Sequence, residues 1–224
     1  MDLKTTTANL LWLCEPDSPD ARSLFEAFAN AGISVTPVLC NKHDSTAVNL
    51  QQAKDALTAL LANSLQFPPI GIAGIGYGGF IAGHLLAESD TFATGAIISG
   101  LINPATAYGT CKGVALPSGK LTGSFSLQDY LKELTKDSVV YRCDDIHTPL
   151  LLLHGFCDDV YGFEQAEQLF TPIKERHPEA EIRMVVFPEG GHRLAEEPAC
   201  AKKYEEELIT WFTEKLKGGL HHDA

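Results

Sequence analysis

Two loops carry the side chains best suited to chemistry. Asp158 stands in His154-Gly155-Phe156-Cys157-Asp158-Asp159, and His192 closes Pro188-Glu189-Gly190-Gly191-His192, 34 positions later (192 − 158). Each loop follows an apolar run of strand type. A carboxylate held against one ring nitrogen of a histidine fixes its tautomer, leaving the other nitrogen to take a proton from a nucleophile or a water. Taken singly, Asp158 reads as well as a helix N-cap, and His192 as a surface-loop histidine. Together, on consecutive strand ends, they read as an acid–base pair. The nucleophile is the difficulty. A third strand end reads Gly74-Ile75-Gly76-Tyr77-Gly78-Gly79, a sharp strand-to-helix turn of the G-x-S-x-G kind that presents a catalytic serine. Its tip is glycine, and Gly76 has no atom with which to form a covalent intermediate.

Three stand-ins for a serine are open. His192, backed by Asp158, could activate a water in the space left at Gly76. A thiol could serve, since Cys14 and Cys157 both follow strands on the same end of the fold. No cation adjoins either thiol in sequence to lower its pKa, so inert packing cysteines are the simpler reading. Ser99 ends another strand, where serine is more often a cap than a nucleophile. The glycine-rich turn also invites a dinucleotide-loop reading, but it is not the first strand–helix turn and no acidic residue closes the next strand. Neither a metal nor a cofactor is expected.

The elements that must hold these residues alternate along the chain. Apolar runs predict strands over Asn9–Cys14, Ile33–Leu39, Ile70–Ile75, Gly95–Ser99, Pro149–His154 and Ile182–Phe187. Pro37 marks the second as an edge strand or strand end. Helical spacing predicts helices over Asp20–Ala31 (Asp20 as N-cap, Gly32 as stop), Val48–Asn63, Gly78–Glu88, Leu127–Leu134, Phe163–Arg176 and Ala199–Leu216. Residues 103–126, rich in Gly, Pro, Ser and Thr, read as an irregular excursion or a lid over the cleft. Lys203 and Glu207 are spaced as an i,i+4 pair. Alternating strands and helices with near-continuous apolar strands imply an α/β fold: a mainly parallel central sheet with helices on both faces, in one domain spanning 1–224. In such sheets, ligands bind beyond the carboxyl ends of the strands, where all three loops lie.

Composition narrows the partners. A formal charge of −12 opposes nucleic acid, and no basic stretch counters it, so a small-molecule ligand or substrate is expected. No apolar run approaches the ~20 residues of a membrane span, and the N-terminus lacks the basic start of a signal peptide. The six cysteines are scattered without CxxC pairs, which suits reduced thiols and a cytoplasmic setting.

The stretch DSVVYRCDDIHTPLLLLHGFCDDVYGFEQAEQLF, followed by VVFPEGGHRLAEEP, resembles the C-terminal half of prolyl oligopeptidase-type catalytic domains. That group includes acylaminoacyl and dipeptidyl peptidases, with dienelactone-hydrolase-like proteins close by. GIGYGGF resembles the family's G-x-S-Y-G-G-F. The resemblance is strong over roughly residues 70–215 and weaker before them. It implies an α/β-hydrolase fold, with Asp158 as triad acid, His192 as general base, Gly76 at the nucleophile position and the Tyr77 N–H as an oxyanion donor. It makes His154 a structural turn residue. Three departures stand out. Gly76 replaces the serine, Cys14-Glu15-Pro16 replaces the His-Gly pair that begins the second oxyanion loop, and Tyr161-Gly162 replaces Val-Pro. A Glu15 carboxylate pointing inward would oppose an oxyanion. At a positive-φ elbow, glycine also removes about 1–3 kcal/mol of strain. Three readings follow: a protein without serine hydrolase activity that binds or regulates; a hydrolase of small esters, lactones or amides using water or a thiol; or a serine enzyme whose nucleophile has been replaced.

Overall fold

The computed structural model describes residues 8–18, 21–62, 68–112 and 126–217. Six strands, β1 (Ala8–Cys14), β2 (Ile33–Leu39), β3 (Ile70–Ile75), β4 (Thr94–Ile98), β5 (Leu150–Gly155) and β6 (Ile182–Phe187), form one sheet in the order β2-β1-β3-β4-β5-β6. Every pairing is parallel. The α/β prediction therefore holds, and so does the edge position of β2, whose Leu39 is exposed.

Helices α1 (Arg22–Asn30), α2 (Thr46–Ala62), α3 (Tyr77–Glu88), α4 (Pro104–Ala107), α5 (Leu127–Lys136), α6 (Glu164–Arg176) and α7 (Ala201–Lys217) connect and cover the strands. Side chains alternate across a strand, so each strand feeds two cores. Leu10 and Trp12 of β1 pack on one face with Leu24 and Phe28 of α1 and with Leu208 and Phe212 of α7. Leu11 and Leu13 join the other face, with Phe80, Ile81 and Leu85 of α3 and Leu169 of α6. Helix α3 is buried from Tyr77 to Ala87. Its all-round apolar sequence fits that central place rather than a surface one.

Some expectations are corrected, and others fall outside the described residues. Asp20 lies outside the described residues; α1 begins after Ala21, with no side-chain cap. Asn63 is likewise outside. The excursion is not wholly irregular: Asn103 caps the short α4 by accepting from the Thr106 N–H, while 113–125 lie outside the described residues. A 3₁₀ helix over Val139–Asp145 was not anticipated, since its short, mixed sequence has no helical stripe. Glu207 pairs with Arg183 of β6 rather than with Lys203. Lys203 lies instead over the Phe187 ring, 5.6 Å from its centroid.

Strand order reverses at β1, whose next strand lies on one side and whose following neighbour, β3, on the other. The crevice beyond the carboxyl ends of β1 and β3 is the natural ligand site of such a sheet. It contains Glu15 and Gly76.

Candidate active site

Loop geometry brings the acid and the base together. Cys157 N donates to the Gly190 carbonyl (2.8 Å) and Phe156 N to that of Phe187 (2.9 Å), tying the loop after β5 to the one after β6. The approach is so close that a β-carbon at Gly155 would stand 2.3 Å from the carbonyl oxygens of Gly190 and Gly191. Glu197 completes the support by accepting the Gly191 N–H at 2.9 Å.

Asp158 is buried and saturated. Oδ1 accepts the backbone N–H groups of Val160 (2.8 Å) and Tyr161 (3.0 Å). Oδ2 lies 2.9 Å from His192 Nδ1 and 3.3 Å from His154 Nε2. Burial alone would push this carboxyl up, but hydrogen bonds from His154 and His192 outweigh it and hold the pKa down to about 2. An ionised carboxylate only accepts, so His192 donates from Nδ1, and in the neutral ring the lone pair is left on Nε2. His154 Nε2 also lies 2.8 Å from the Tyr161 carbonyl, so it donates there. His154 thus touches the acid as well as shaping the turn. Edge-on to His192, with ring centroids 5.4 Å apart, is Tyr161. Burial first, and the Glu15 charge second, push its hydroxyl well above the usual range.

The elbow is present without its nucleophile. Gly76 has φ 57° and ψ −120°, a region that L side chains avoid and glycine enters freely. Gly78 lets α3 approach β1, since a β-carbon there would stand 2.3 Å from the Leu13 carbonyl oxygen. A β-carbon added at Gly76 would lie 3.4 Å from His192 Nε2 and 2.7 Å from Glu15 Oε2. The space of the missing side chain is therefore bounded by the expected base and by a carboxylate.

That carboxylate alters the oxyanion region. Tyr77 N, the expected donor, points at Glu15 Oε2 (3.4 Å). The Glu15 N–H is given to Ser18 Oγ at 3.0 Å, and Pro16 has no N–H to offer. Glu15 Oε1 meets the Lys42 ammonium at 3.1 Å. The charge anticipated from sequence does point inward, and Lys42 is the partner that sequence reasoning missed, 27 positions away (42 − 15). The cleft above these groups encloses about 180 Å³, with Ile75, Ile98, Val160 and Leu194 among its walls.

The two thiols lie apart from this point. Cys14 Sγ rests 4.0 Å from the Val38 carbonyl; burial first, and the Glu15 charge second, push its pKa up. Cys157 is exposed, with Sγ 3.5 Å from the Pro188 carbonyl. Ser99 is buried at φ 43°, its hydroxyl without a hydrogen bond. Among the described residues no group of three His, Cys, Asp or Glu could hold a metal ion, and no helix is long and apolar enough to cross a membrane.

A parallel sheet with a glycine-tipped elbow after β3, and an Asp–His pair after β5 and β6, defines an α/β-hydrolase fold. Comparison with solved structures agrees. The acylaminoacyl peptidase of Pyrococcus horikoshii superposes with a TM-score of 0.78 over 97% of this chain and 38% of its own, at 18% identity. An esterase domain from a Rhodothermus marinus protein gives 0.67 over 96% of this chain and 90% of its own, at 20% identity. In sequence, an uncharacterized peptidase of Bacillus subtilis (YuxL) is 28% identical over 150 residues; that match spans 66% of this chain but only 22% of the relative's length. The prolyl oligopeptidase family model matches residues 43–219. This chain belongs to the prolyl oligopeptidase family.

Proposed function

We propose that this chain is a hydrolase-fold protein that does not work through a serine acyl-enzyme, and that its cleft binds a small molecule. The observation that carries this reading is Glu15. Its Oε2 stands 2.7 Å from the β-carbon position of residue 76 and faces the Tyr77 N–H, the oxyanion donor that the family resemblance implies, at 3.4 Å. A developing oxyanion would meet a carboxylate in place of donors, and losing one such donor alone costs about 10²–10³ in rate.

A second reading rests on a separate observation, the intact pair at 2.9 Å between His192 Nδ1 and Asp158 Oδ2. Through Nε2 it could deprotonate a water for direct attack on a small ester, lactone or amide. The thiol reading has less support, because the groups nearest the vacant position belong to Glu15 and His192. Replacement of a native serine asks only that the end of the flexible Glu15 side chain swing aside, and the Gly76→Ser variant tests it directly.

Hydrolysis of p-nitrophenyl esters and aminoacyl p-nitroanilides separates these readings. The parent should match its His192→Ala variant at the uncatalysed background. Gly76→Ser alone should stay near it, and turnover should emerge when Gly76→Ser is joined to Glu15→Gly. Parent turnover abolished by His192→Ala would establish the water route instead. Loss only in Cys14→Ser or Cys157→Ser would establish a thiol, and full activity from Gly76→Ser alone would point to a replaced serine.

A further inference from the structure

We propose that the vacated nucleophile position is a receptor for a primary ammonium group whose apolar body lies along Ile75, Ala195 and Tyr204. This rests on the reading that the cleft binds rather than hydrolyses, and it specifies the chemistry of what is bound.

The polarity of the position is the first argument. Two acceptors converge on it, Glu15 Oε2 and His192 Nε2, at 2.7 and 3.4 Å from where a β-carbon would be. With Nδ1 facing Asp158, Nε2 is the ring nitrogen turned to this position, and in the neutral ring it accepts. Two acceptors facing one space call for a group with at least two N–H or O–H bonds, and a primary ammonium brings three.

Glu15 supplies the second. It is only 8% exposed, yet it is poorly supplied for a buried carboxylate. Oε1 is buried without a hydrogen bond and meets only the Lys42 charge, while Oε2 has a single long N–H at 3.4 Å. Buried ionic acceptors with spare capacity are costly, and a charged donor relieves that cost.

Shape and field complete the case. The cleft of about 180 Å³ adjoins a groove of about 160 Å³ that shares Ile75, Ala195 and Tyr204 with it and continues to Leu24. Those apolar walls suit a short alkyl chain. The cleft carries Glu15 and Asp17 against Lys42 and Arg193, and the chain's charge of −12 favours cations at longer range. A carboxylate ligand is disfavoured, because the Tyr77 N–H it would need already faces Glu15.

Calorimetric titration with n-pentylammonium, 1-pentanol and pentanoate tests this. The ammonium should bind at least about tenfold tighter than the alcohol, as one charged hydrogen bond implies, and pentanoate should not bind. Glu15→Gln should weaken the ammonium by about tenfold or more, and Gly76→Ser should weaken it by filling the position. Lys42→Ala, which removes the resident ammonium, should tighten it; this arm keeps the test decisive if Glu15→Gln fails to fold. Equal binding of alcohol and ammonium, indifference to Glu15→Gln, weakening by Lys42→Ala, or no heat at millimolar ligand would each overturn the site. Ester turnover by the parent would overturn the binding-only reading without touching these titrations, so the two failures remain distinct.

Discussion

The two halves of the cleft have opposite characters. On the β5/β6 side, Asp158 accepts from three donors and touches His154, and its loop is stitched to the His192 loop through backbone bonds. On the β1/β3 side, the nucleophile is absent, the Glu15 and Tyr77 N–H groups are spoken for, and a carboxylate stands in the space. The contrast gives the Asp158–His192 pair a structural role of its own, whatever chemistry the cleft carries out. Asp158 is buried, and removing it would orphan two backbone N–H groups and the Nδ1 proton of His192. These bonds give Asp158 a folding role that does not depend on turnover. No such constraint ties a serine to the elbow, where the backbone geometry favours glycine.

The contrast can be broken most visibly by rebuilding the weak half. Gly76→Ser joined to Glu15→Gly should raise p-nitrophenyl ester hydrolysis by about 10²-fold or more over the parent, the scale of a recovered oxyanion donor; a further His192→Ala should return it to background. A parent-like rate in the double variant would show that the β5/β6 half is no longer competent. Next in size is Asp158→Ala, which leaves buried donors unpaired and should cost about 3 kcal/mol in urea unfolding. A loss under half that size would deny the structural role. Acid titration probes the same carboxylate. Its pKa is depressed to about 2 from an ordinary 3.8, so its stabilisation is complete above about pH 4 and is lost as pH falls through about 2. That contribution is about 2 kcal/mol, and Asp158→Asn should flatten this part of the stability–pH curve. Smallest is Lys42→Ala on the dismantled side. Its partly exposed pair with Glu15 should be worth about 1 kcal/mol or less, and a larger shift in melting temperature would show that the Glu15 carboxylate is held in place chiefly by Lys42.

Much of this was legible in sequence. The strands were readable because a parallel sheet covered on both faces demands unbroken apolar runs such as Leu150–Leu153. The dyad was readable because both residues follow such runs directly. Sequence also raised the inward-pointing Glu15 as a condition. Its fulfilment depends on Lys42 and the Tyr77 N–H, which are distant along the chain and meet only across the sheet's reversal point. His154 shows the same limit: its contact with Asp158 spans a turn whose path no local pattern specifies. The 3₁₀ helix at 139–145 was missed because it is fixed by packing against α3 and α6 rather than by its own periodicity. The Lys203–Glu207 pairing failed because a helix-surface rule takes no account of Arg183 on the neighbouring strand.

Helix α3 opens at Gly76 with no side-chain cap of its own, and Glu15 meets its first N–H from 62 positions away. A carboxylate at a helix N-terminus interacts favourably with the helix dipole, by about 0.3–1 kcal/mol. Glu15 therefore stands as a distant capping group from the loop after β1, at the start of a helix buried from Tyr77 to Ala87. A variant that combines Gly76→Ser with removal of this carboxylate also uncaps α3, so any serine chemistry it shows should arrive together with lowered thermal stability.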